Sequence, residues 1–177
     1  EIELGDAFRS LGFETTRIGG RGKTDGVGMD HLSEDEQGQH RRYAVSLVEK
    51  SKQKDGTKVS AKTVGISTIA RQRNDFSCDH AIVVAPAFPT TQGDRSALSK
   101  EIDEDRSASE ATGESRTISL ITVDDLARLV RLRPIKQLGL AELRDLFVAC
   151  RLPDQGKEWV DKIAQRPVAK QPYKEII

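Results

Sequence analysis

The side chains of this chain that could act together on a substrate lie between positions 25 and 50. Asp25 begins one apolar run, DGVGM, and Lys50 ends another, YAVSLVEK. Alternate residues of a β-strand share a face, so Val48 and Lys50 would point one way and Glu49 the other. Two carboxylates and an ammonium group that meet at one spot would bind Mg²⁺ and steady a phosphate under attack by water. On the face of Lys50, the place of the second carboxylate is taken by Val48.

The elements around these residues follow a recognisable order. An Asp-Gly pair at a strand start, a hairpin, a strand ending in a lysine motif, a glycine-containing turn and a helix appear as GRGKTDGVGM, YAVSLVEKSKQKDGTKVS, KTVGISTIARQRNDF and DHAIVVAPAF. Over roughly residues 1 to 130 this order resembles the PD-(D/E)xK nuclease superfamily, most closely the FokI-like cleavage domains of type IIS restriction endonucleases. The resemblance implies an α/β fold with a restriction-endonuclease-like core, in which helices flank a central mixed β-sheet.

The resemblance also assigns roles to particular residues. Asp25 corresponds to the first metal ligand, and Lys50 to the lysine that polarises the attacking water. The second acid falls on Val48, which cannot bind a metal. Moving the match by one residue places Glu49 in the acid position. The lysine position then falls on Ser51, next to Lys52. The implied reaction is hydrolysis of DNA phosphodiesters with Mg²⁺ or Mn²⁺.

Three explanations for the missing acid remain open. A β-bulge could turn Glu49 inward, with Lys50 or Lys52 supplying the cation, because bulges re-aim side chains near active sites. Alternatively, Glu3 or Asp6 of the first helix could lean over the site, as helix acids do in some relatives. In the third explanation the domain has lost catalysis and remains a module for DNA binding or subunit interaction.

Candidate DNA contacts lie in the turn before Asp25 and beyond the central strand. The turn GGRGKTDG carries Arg21 and Lys23 between glycines, which let a backbone approach a phosphate closely. It is not a P-loop, because the following residues have the pattern of a strand rather than a helix. Lys52 could also reach the DNA backbone. A flexible hairpin turn is the alternative interpretation of the glycines.

The helix after the central strand provides two further candidates. Its Ile66 and Ile69 would face the sheet, whereas Arg71, Gln72 and Arg73 would be more exposed. In the nucleases that the chain resembles, this helix lies beside the active site and often presents polar groups to DNA. Arg71 and Gln72 are therefore candidates for DNA binding, with a solvated helix face as the alternative.

Apolar patterns predict the elements that must position these residues. Leu4, Phe8 and Leu11 recur at helical spacing, and DHAIVVAPAF is typical of a strand buried on both faces. The run ISLITV predicts another strand, followed by a helix that Thr122 or Asp124 can cap. The full prediction has helices over residues 1–11, 61–75 and 94–112, strands over 13–20, 43–50 and 79–86, and a loop or loose hairpin tip over 31–42.

The last quarter of the chain has only helical patterns. LGLAELRDLFVACRL places Leu140, Leu143 and Phe147 on one helix face, and GKEWVDKIAQR predicts a final helix. We therefore predict a nuclease-like α/β core over residues 1–133 and a C-terminal helical extension over residues 134–177 that packs on the same domain.

Composition limits the possible classes of protein. The 177 residues suffice for one domain with a real core, and aromatic residues make up only 5%, so that core must be mainly aliphatic. There are 28 basic and 28 acidic side chains, and the resulting net charge of zero argues mildly against tight autonomous DNA binding. Basic residues crowd the first third, however, and acids dominate residues 101–115, so one face can still be basic.

Cysteine and histidine provide no metal cluster in the sequence. Cys78 and Cys150 are too few and too far apart for a disulfide framework, and no zinc-type spacing is present. His31, His40 and His80 are scattered, and we interpret them as surface or loop residues. This composition fits a reducing, intracellular setting, and we expect a cytoplasmic protein.

The expected partner is double-stranded DNA. No apolar run approaches the ~20 residues of a membrane span, and no signal peptide is recognisable. The chain begins at Glu1 rather than Met, which suggests an excised domain whose missing N-terminal region could supply DNA recognition. Cutting both strands with one active site per chain usually requires two chains, so a homodimer is plausible.

Overall fold

Five strands form one mixed sheet in the computed structural model, which describes residues 4–20, 23–34, 40–50 and 61–168. The strands lie in chain order: β1 (Glu14–Arg17), β2 (Gly26–Glu34), β3 (His40–Glu49), β4 (His80–Ala85) and β5 (Thr117–Thr122). β1, β2 and β3 pair antiparallel, whereas β3, β4 and β5 pair parallel. The described helices are α1 (Leu4–Ser10), α2 (Ala61–Val64), α3 (Ile66–Asp75), α4 (Gln92–Ala111), α5 (Val123–Lys136), α6 (Leu140–Ala149) and α7 (Pro153–Gln165). The predicted α/β architecture, a central mixed sheet flanked by helices, is confirmed.

Strand β3 supplies side chains to two separate cores, as its period of two predicts. Tyr43, Val45 and Leu47 enter the first core, which contains side chains of α1, α5, α6 and α7. Val48 enters the second core, which contains side chains of α2, α3 and α4. Strand β4 contributes to both cores and is buried along its whole length, so the predicted strand covered on both faces is confirmed.

The hairpin of β2 and β3 is longer than the sequence pattern predicted. Residues 31–42 were expected to form a loop or loose hairpin tip, but β2 continues to Glu34 and β3 begins at His40. The register shifts between His31 and Glu34, which marks an irregularity in the ladder. Backbone hydrogen bonds can pair two strands even where apolar and polar residues do not alternate. The polar composition of residues 31–42 therefore did not exclude strands.

The helix predicted over residues 61–75 is interrupted. Gly65 separates α2 from α3 and has a φ of 65°, in the left-handed region that glycine adopts without a steric penalty. Ile66 and Ile69 lie in the second core, as predicted. The single continuous helix was therefore wrong, whereas the prediction of its apolar face was correct.

Three polar residues are buried against expectation. Gln72 is 6% and Arg73 1% exposed, although both were predicted on a solvated face. Arg73 donates to both carboxylate oxygens of Asp105, at 2.7 and 3.1 Å, so a partner on α4 makes its burial possible. His80 was interpreted as a surface residue, but it begins the buried strand β4 and is 2% exposed.

The helices α4 and α5 follow their sequence signals. Leu98 and Ile102 of α4 are buried in the second core, as predicted. Thr122 caps α5, because its hydroxyl oxygen accepts a hydrogen bond from the backbone N–H of Asp125 at 3.1 Å. None of the helices in the described ranges is long and apolar enough to cross a membrane.

The C-terminal helices pack on the first core. Leu143 and Phe147 of α6 and Ile163 of α7 are buried there. The ring of Phe147 lies 6.0 Å from that of Phe8 in α1, measured between centroids. Helix α5 continues through Pro134 to Lys136, so the predicted boundary between residues 133 and 134 lies inside a helix. The division into core and extension itself stays a prediction.

Candidate active site

A cleft lies at the edge of the sheet, between α1, the end of β1, the start of β2 and the end of β3. Its volume is about 530 Å³. Of the described residues that line it, four are charged: Arg9, Arg17, Asp25 and Glu49. A larger depression of about 620 Å³ follows the outer face of α4, but serines and solvated charges line it and no candidate residue lies there. The cleft is therefore the part of the surface where two of the predicted site residues, Asp25 and Glu49, meet.

Asp25 is held in place from both its backbone and its side chain. Its N–H donates to the carbonyl oxygen of Leu47, and its own carbonyl oxygen accepts from the N–H of Ile18, both at 3.0 Å. Its Oδ2 accepts a hydrogen bond from the backbone N–H of Glu49 at 2.6 Å. The carboxylate is thus fixed over the end of β3 before any ligand arrives.

The residues on either side of Asp25 explain this placement. The buried Thr24 donates its hydroxyl to the carbonyl oxygen of Leu47 at 2.6 Å and so ties the turn to β3. Gly26 lies close to β1, and a Cβ at this position would stand 3.0 Å from the carbonyl oxygen of Thr16. The close strand approach therefore requires the glycine of the Asp-Gly pair, whereas the contribution of Thr24 was not predicted.

Glu49 reaches the cleft without a bulge. The pairs Val48–Val83 and Glu49–Val84 continue the regular parallel register of β3 and β4. Glu49 follows Leu47 on one face of the strand, and both line the cleft. Val48 is 4% exposed in the second core. The structure brings Asp25 together with Glu49, and position 48 belongs to the hydrophobic interior.

The predicted lysines are less clearly placed. Lys50 is partly exposed after β3, and its backbone N–H donates to the carbonyl oxygen of Val84 at 2.9 Å. Lys50 is not among the described residues that line the cleft. Lys23 is exposed in the glycine turn that borders the cleft. Arg21 and Lys52 lie outside the described residues.

The candidates on α3 do not meet the cleft. Arg71 is exposed, whereas Gln72 is buried. Helix α3 packs in the second core, on the sheet face opposite to the face of Leu47. The structure therefore does not bring Arg71 or Gln72 beside Asp25.

Arg9 is a cleft residue that sequence reasoning missed. It extends from α1, where its Nη1 donates to the hydroxyl oxygen of Thr15 at 3.1 Å and its Nη2 forms an ion pair with Asp6. Asp6 is thereby paired with a cation of its own helix, and Glu3 lies outside the described residues. The charged pair at positions 6 and 9, on a helix face opposite to Phe8, was the signal that could have identified Arg9.

Two carboxylates, those of Asp25 and Glu49, line the cleft among the residues that the structure describes. No group of three or more His, Cys, Asp or Glu side chains suited to a metal occurs in the part of the chain that the structure describes. Mg²⁺ commonly uses one or two protein carboxylates and takes its other ligands from water and substrate phosphate. The pair of Asp25 and Glu49 therefore suffices only for an ion that the substrate helps to bind.

Tyr43 and His80 form a buried polar pair away from the cleft. The rings of Tyr43 and His80 are 5.4 Å apart, and neither the Tyr43 hydroxyl nor the two imidazole nitrogens have a hydrogen-bond partner among the described residues. Burial, assisted by the positive charges of Arg144 and Arg73, lowers the pKa of His80 to about 3. Burial also raises the pKa of Tyr43 well above its usual value. Both groups are neutral at physiological pH.

The cysteines do not provide a nucleophile. Both thiols are buried, and neither lines the cleft. Burial raises the pKa of Cys78 and that of Cys150 to about 11. Because the thiolate is the reactive form, cysteine chemistry is not favoured at either position.

Comparison with known proteins found similarity among solved structures. No protein-family model matches the chain, and no curated protein sequence matches it. Among solved structures, the chain is similar to the DNA modification-dependent restriction endonuclease AspBHI, with a TM-score of 0.42 and 18% sequence identity. The similarity covers 90% of this chain and 33% of that protein, so the chain spans about a third of its length.

Proposed function

We propose that this chain is a Mg²⁺-dependent DNA endonuclease of the PD-(D/E)xK type, the cleavage domain of a restriction endonuclease. One observation carries the proposal: Asp25, just before β2, and Glu49, at the end of β3, line the same cleft, and the Oδ2 of Asp25 lies 2.6 Å from the backbone nitrogen of Glu49. In this proposal Glu49, which follows Val48 in the regular register of β3, is the second acid. The substrate would be double-stranded DNA.

The donor set of the cleft fits Mg²⁺ or Mn²⁺. Hard oxygen ligands suit both ions, and two carboxylates leave coordination positions for water and a phosphate oxygen. One oxygen of Asp25 already accepts the Glu49 N–H, which leaves the other oxygen and the exposed Glu49 carboxylate as ligands. Bound there, the ion would lower the pKa of a water molecule and stabilise the charge that develops on the phosphate.

The protein itself contributes a fixed geometry. The three backbone and side-chain hydrogen bonds of Asp25 hold its carboxylate still, so little reorganisation is needed when a phosphate arrives. In the proposed mechanism Lys50 steadies the phosphate and the attacking water from the strand end. Lys23 and the glycine turn would contact the DNA backbone, with Arg21 and Lys52 assigned the same role from sequence alone.

A different function has specific support. The acid position of the resembled motif is a core valine, and Lys50 is not among the described residues that line the cleft. These two facts favour a catalytically inactive module that retains the fold for DNA binding or subunit interaction. Such a module would bind DNA without needing a divalent ion.

Plasmid cleavage distinguishes the two functions. Supercoiled plasmid would be incubated with the purified chain in Mg²⁺, in Mn²⁺ and in EDTA, beside the variants Asp25→Ala and Glu49→Gln. Nicking that requires the metal and disappears in both variants supports the nuclease. Glu101→Gln, which removes an exposed acid of α4, is the matched control and should cleave normally. A folded wild-type protein that binds plasmid but never cuts it would support the inactive module.

A further inference from the structure

We infer that Arg9 binds a phosphate of the DNA backbone beside the Asp25–Glu49 pair, an inference that rests on the proposed function. Two carboxylates repel the phosphate that they must help to cleave. A cation on the wall of the same cleft offsets that repulsion, and Arg9 lines the cleft from α1. Its substrate contact would be a non-bridging phosphate oxygen, which carries no sequence information.

Helix α1 is anchored firmly enough to position this side chain. Phe8, the neighbour of Arg9, is fully buried in the first core. Its ring lies 5.5 Å from that of Phe13 and 6.0 Å from that of Phe147, measured between centroids. The hydroxyl of Thr15 donates to the carbonyl oxygen of Gly5 at 3.3 Å and so joins α1 to β1. The backbone from which Arg9 extends is therefore part of the core.

The guanidinium is oriented but not fully used. Nη1 donates to the hydroxyl oxygen of Thr15 at 3.1 Å, and Nη2 pairs with Asp6. A guanidinium has five N–H groups, so these two partners leave donors for a further acceptor. The side chains of Arg9 and Asp6 are 55% and 53% exposed. An ion pair this exposed is weak, and a phosphate can compete for it with two parallel hydrogen bonds.

Arg9 differs from the cations assigned from the sequence. Lys50 follows the strand end and is not among the described residues that line the cleft, whereas Arg9 lines the cleft from α1. Arg17 also lines the cleft, at the end of β1 beside the glycine turn. Arginine suits phosphate because its planar fork matches two oxygens at once, which an ammonium group cannot do.

The test measures DNA binding separately from cleavage. Affinity for a labelled duplex would be followed by fluorescence anisotropy with Ca²⁺ in place of Mg²⁺, over a range of salt concentrations. Arg9→Gln should weaken binding on the order of tenfold, as for loss of a charged hydrogen bond. It should also reduce the slope of log K against log salt by about one, because one phosphate contact is lost. A residue that only stabilises α1 would leave that slope unchanged.

Three further variants control the measurement. Arg106→Gln removes a partly exposed arginine of α4 that pairs with Glu110, and it should alter neither affinity nor slope. Asp6→Asn breaks the same ion pair but keeps Arg9, so binding should stay equal or become tighter. Arg9→Lys keeps the charge and should retain the slope with weaker binding. Because Asp6→Asn and Arg9→Gln lose the same helix contact, opposite effects on binding cannot come from misfolding.

Each outcome decides the inference. If the wild type cleaves DNA and Arg9→Gln changes neither affinity nor slope, Arg9 does not bind phosphate, and the proposed nuclease function is still supported. If the wild type binds DNA with an Arg9-dependent salt slope but never cleaves it, the proposed nuclease function is wrong and Arg9 remains a phosphate contact. If the folded wild type does not bind DNA, both are overturned.

Discussion

The backbone N–H of Glu49 donates to Oδ2 of Asp25 at 2.6 Å, so the two proposed metal ligands are joined before any metal binds. The hydrogen bond runs from the end of β3 to the residue that precedes β2. It fixes the carboxylate of Asp25 relative to the backbone at the end of β3. The backbone at position 49, rather than the carboxylate, is the part of Glu49 that positions Asp25.

Replacing Asp25 by asparagine separates charge from position. The amide oxygen of Asp25→Asn can still accept the Glu49 N–H, so the free energy of unfolding should change by less than about 0.5 kcal/mol. Cleavage should fall by more than about a hundredfold, because a ligand charge worth several kcal/mol is removed. Plasmid cleavage and titration calorimetry with Mn²⁺ measure the two effects. Normal Mn²⁺ binding by this variant would show that Asp25 is not a ligand.

The buried His80 predicts a loss of stability in mild acid. Its pKa is about 3 in the folded protein and 6.5 in the unfolded chain. Below pH 6.5 the unfolded state therefore binds a proton that the folded state excludes, and stability falls as the pH falls from 6.5 towards 3. Each unit costs up to about 1.4 kcal/mol, or about 2 kcal/mol at pH 5.

Urea denaturation of His80→Phe at several pH values tests this prediction. Phenylalanine can keep the ring contact with Tyr43 but has no proton to bind. The free energy of unfolding of the variant should increase relative to that of the wild type as the pH falls from 6.5 to 5. His31→Gln removes an exposed histidine and serves as the control. Parallel stability curves for wild type and His80→Phe would contradict the prediction.

The buried ion pair of Arg73 and Asp105 predicts a large cost for removing one partner. Arg73→Met leaves a carboxylate that is only 13% exposed without its cation, and should destabilise the protein by roughly 3–5 kcal/mol. The double variant with Asp105→Leu should lose less than the sum of the single changes. Chemical denaturation of the wild type, the two single variants and the double variant gives the coupling energy of the pair.

The exposed pair of Lys100 and Glu104 on the same helix is the matched comparison. Its side chains are 77% and 65% exposed, and the closest nitrogen and oxygen are 3.7 Å apart. Breaking it should change stability by less than about 0.5 kcal/mol. Equal costs for the two pairs would show that burial does not control the effect.

Gly26 predicts a link between strand spacing and catalysis. A methyl group at this position meets the carbonyl oxygen of Thr16 at 3.0 Å, so Gly26→Ala should separate β1 from β2 and cost roughly 1–3 kcal/mol. The displacement should also move Asp25 and reduce cleavage more than stability alone explains. Gly93→Ala, with open space around its Cβ in α4, should be neutral or stabilising. Thermal denaturation and plasmid cleavage, measured below the melting temperature, separate the two effects.

Local patterns were sufficient to predict much of the fold. The apolar run at 80–85, the inward face of Leu98 and Ile102, and the cap at Thr122 each depend on residues close in sequence. The failures depend on distant partners. Arg73 is buried because Asp105 lies beside it, 32 positions away in the chain. No window of sequence around Arg73 contains that information.

The candidate site divides in the same way. Asp25 and Glu49 could be named from the order of elements, but their meeting in one cleft depends on how β2 and β3 pair. Glu49 does not need the β-bulge that was one of three explanations for the missing acid, because it already lies on the face of Leu47. Arg9 was missed since its position follows from the docking of Phe8 into a core assembled from the far end of the chain.

That docking has a consequence for protein engineering. The wall of the cleft rests on Phe8, and Phe8 rests on Phe147 of α6. Trimming the chain at residue 133 would cut α5 short and remove Phe147, one of the aromatic rings that Phe8 contacts. A portable version of the proposed cleavage domain should therefore extend through α7, because α6 and α7 contribute buried side chains to the core that contains Phe8.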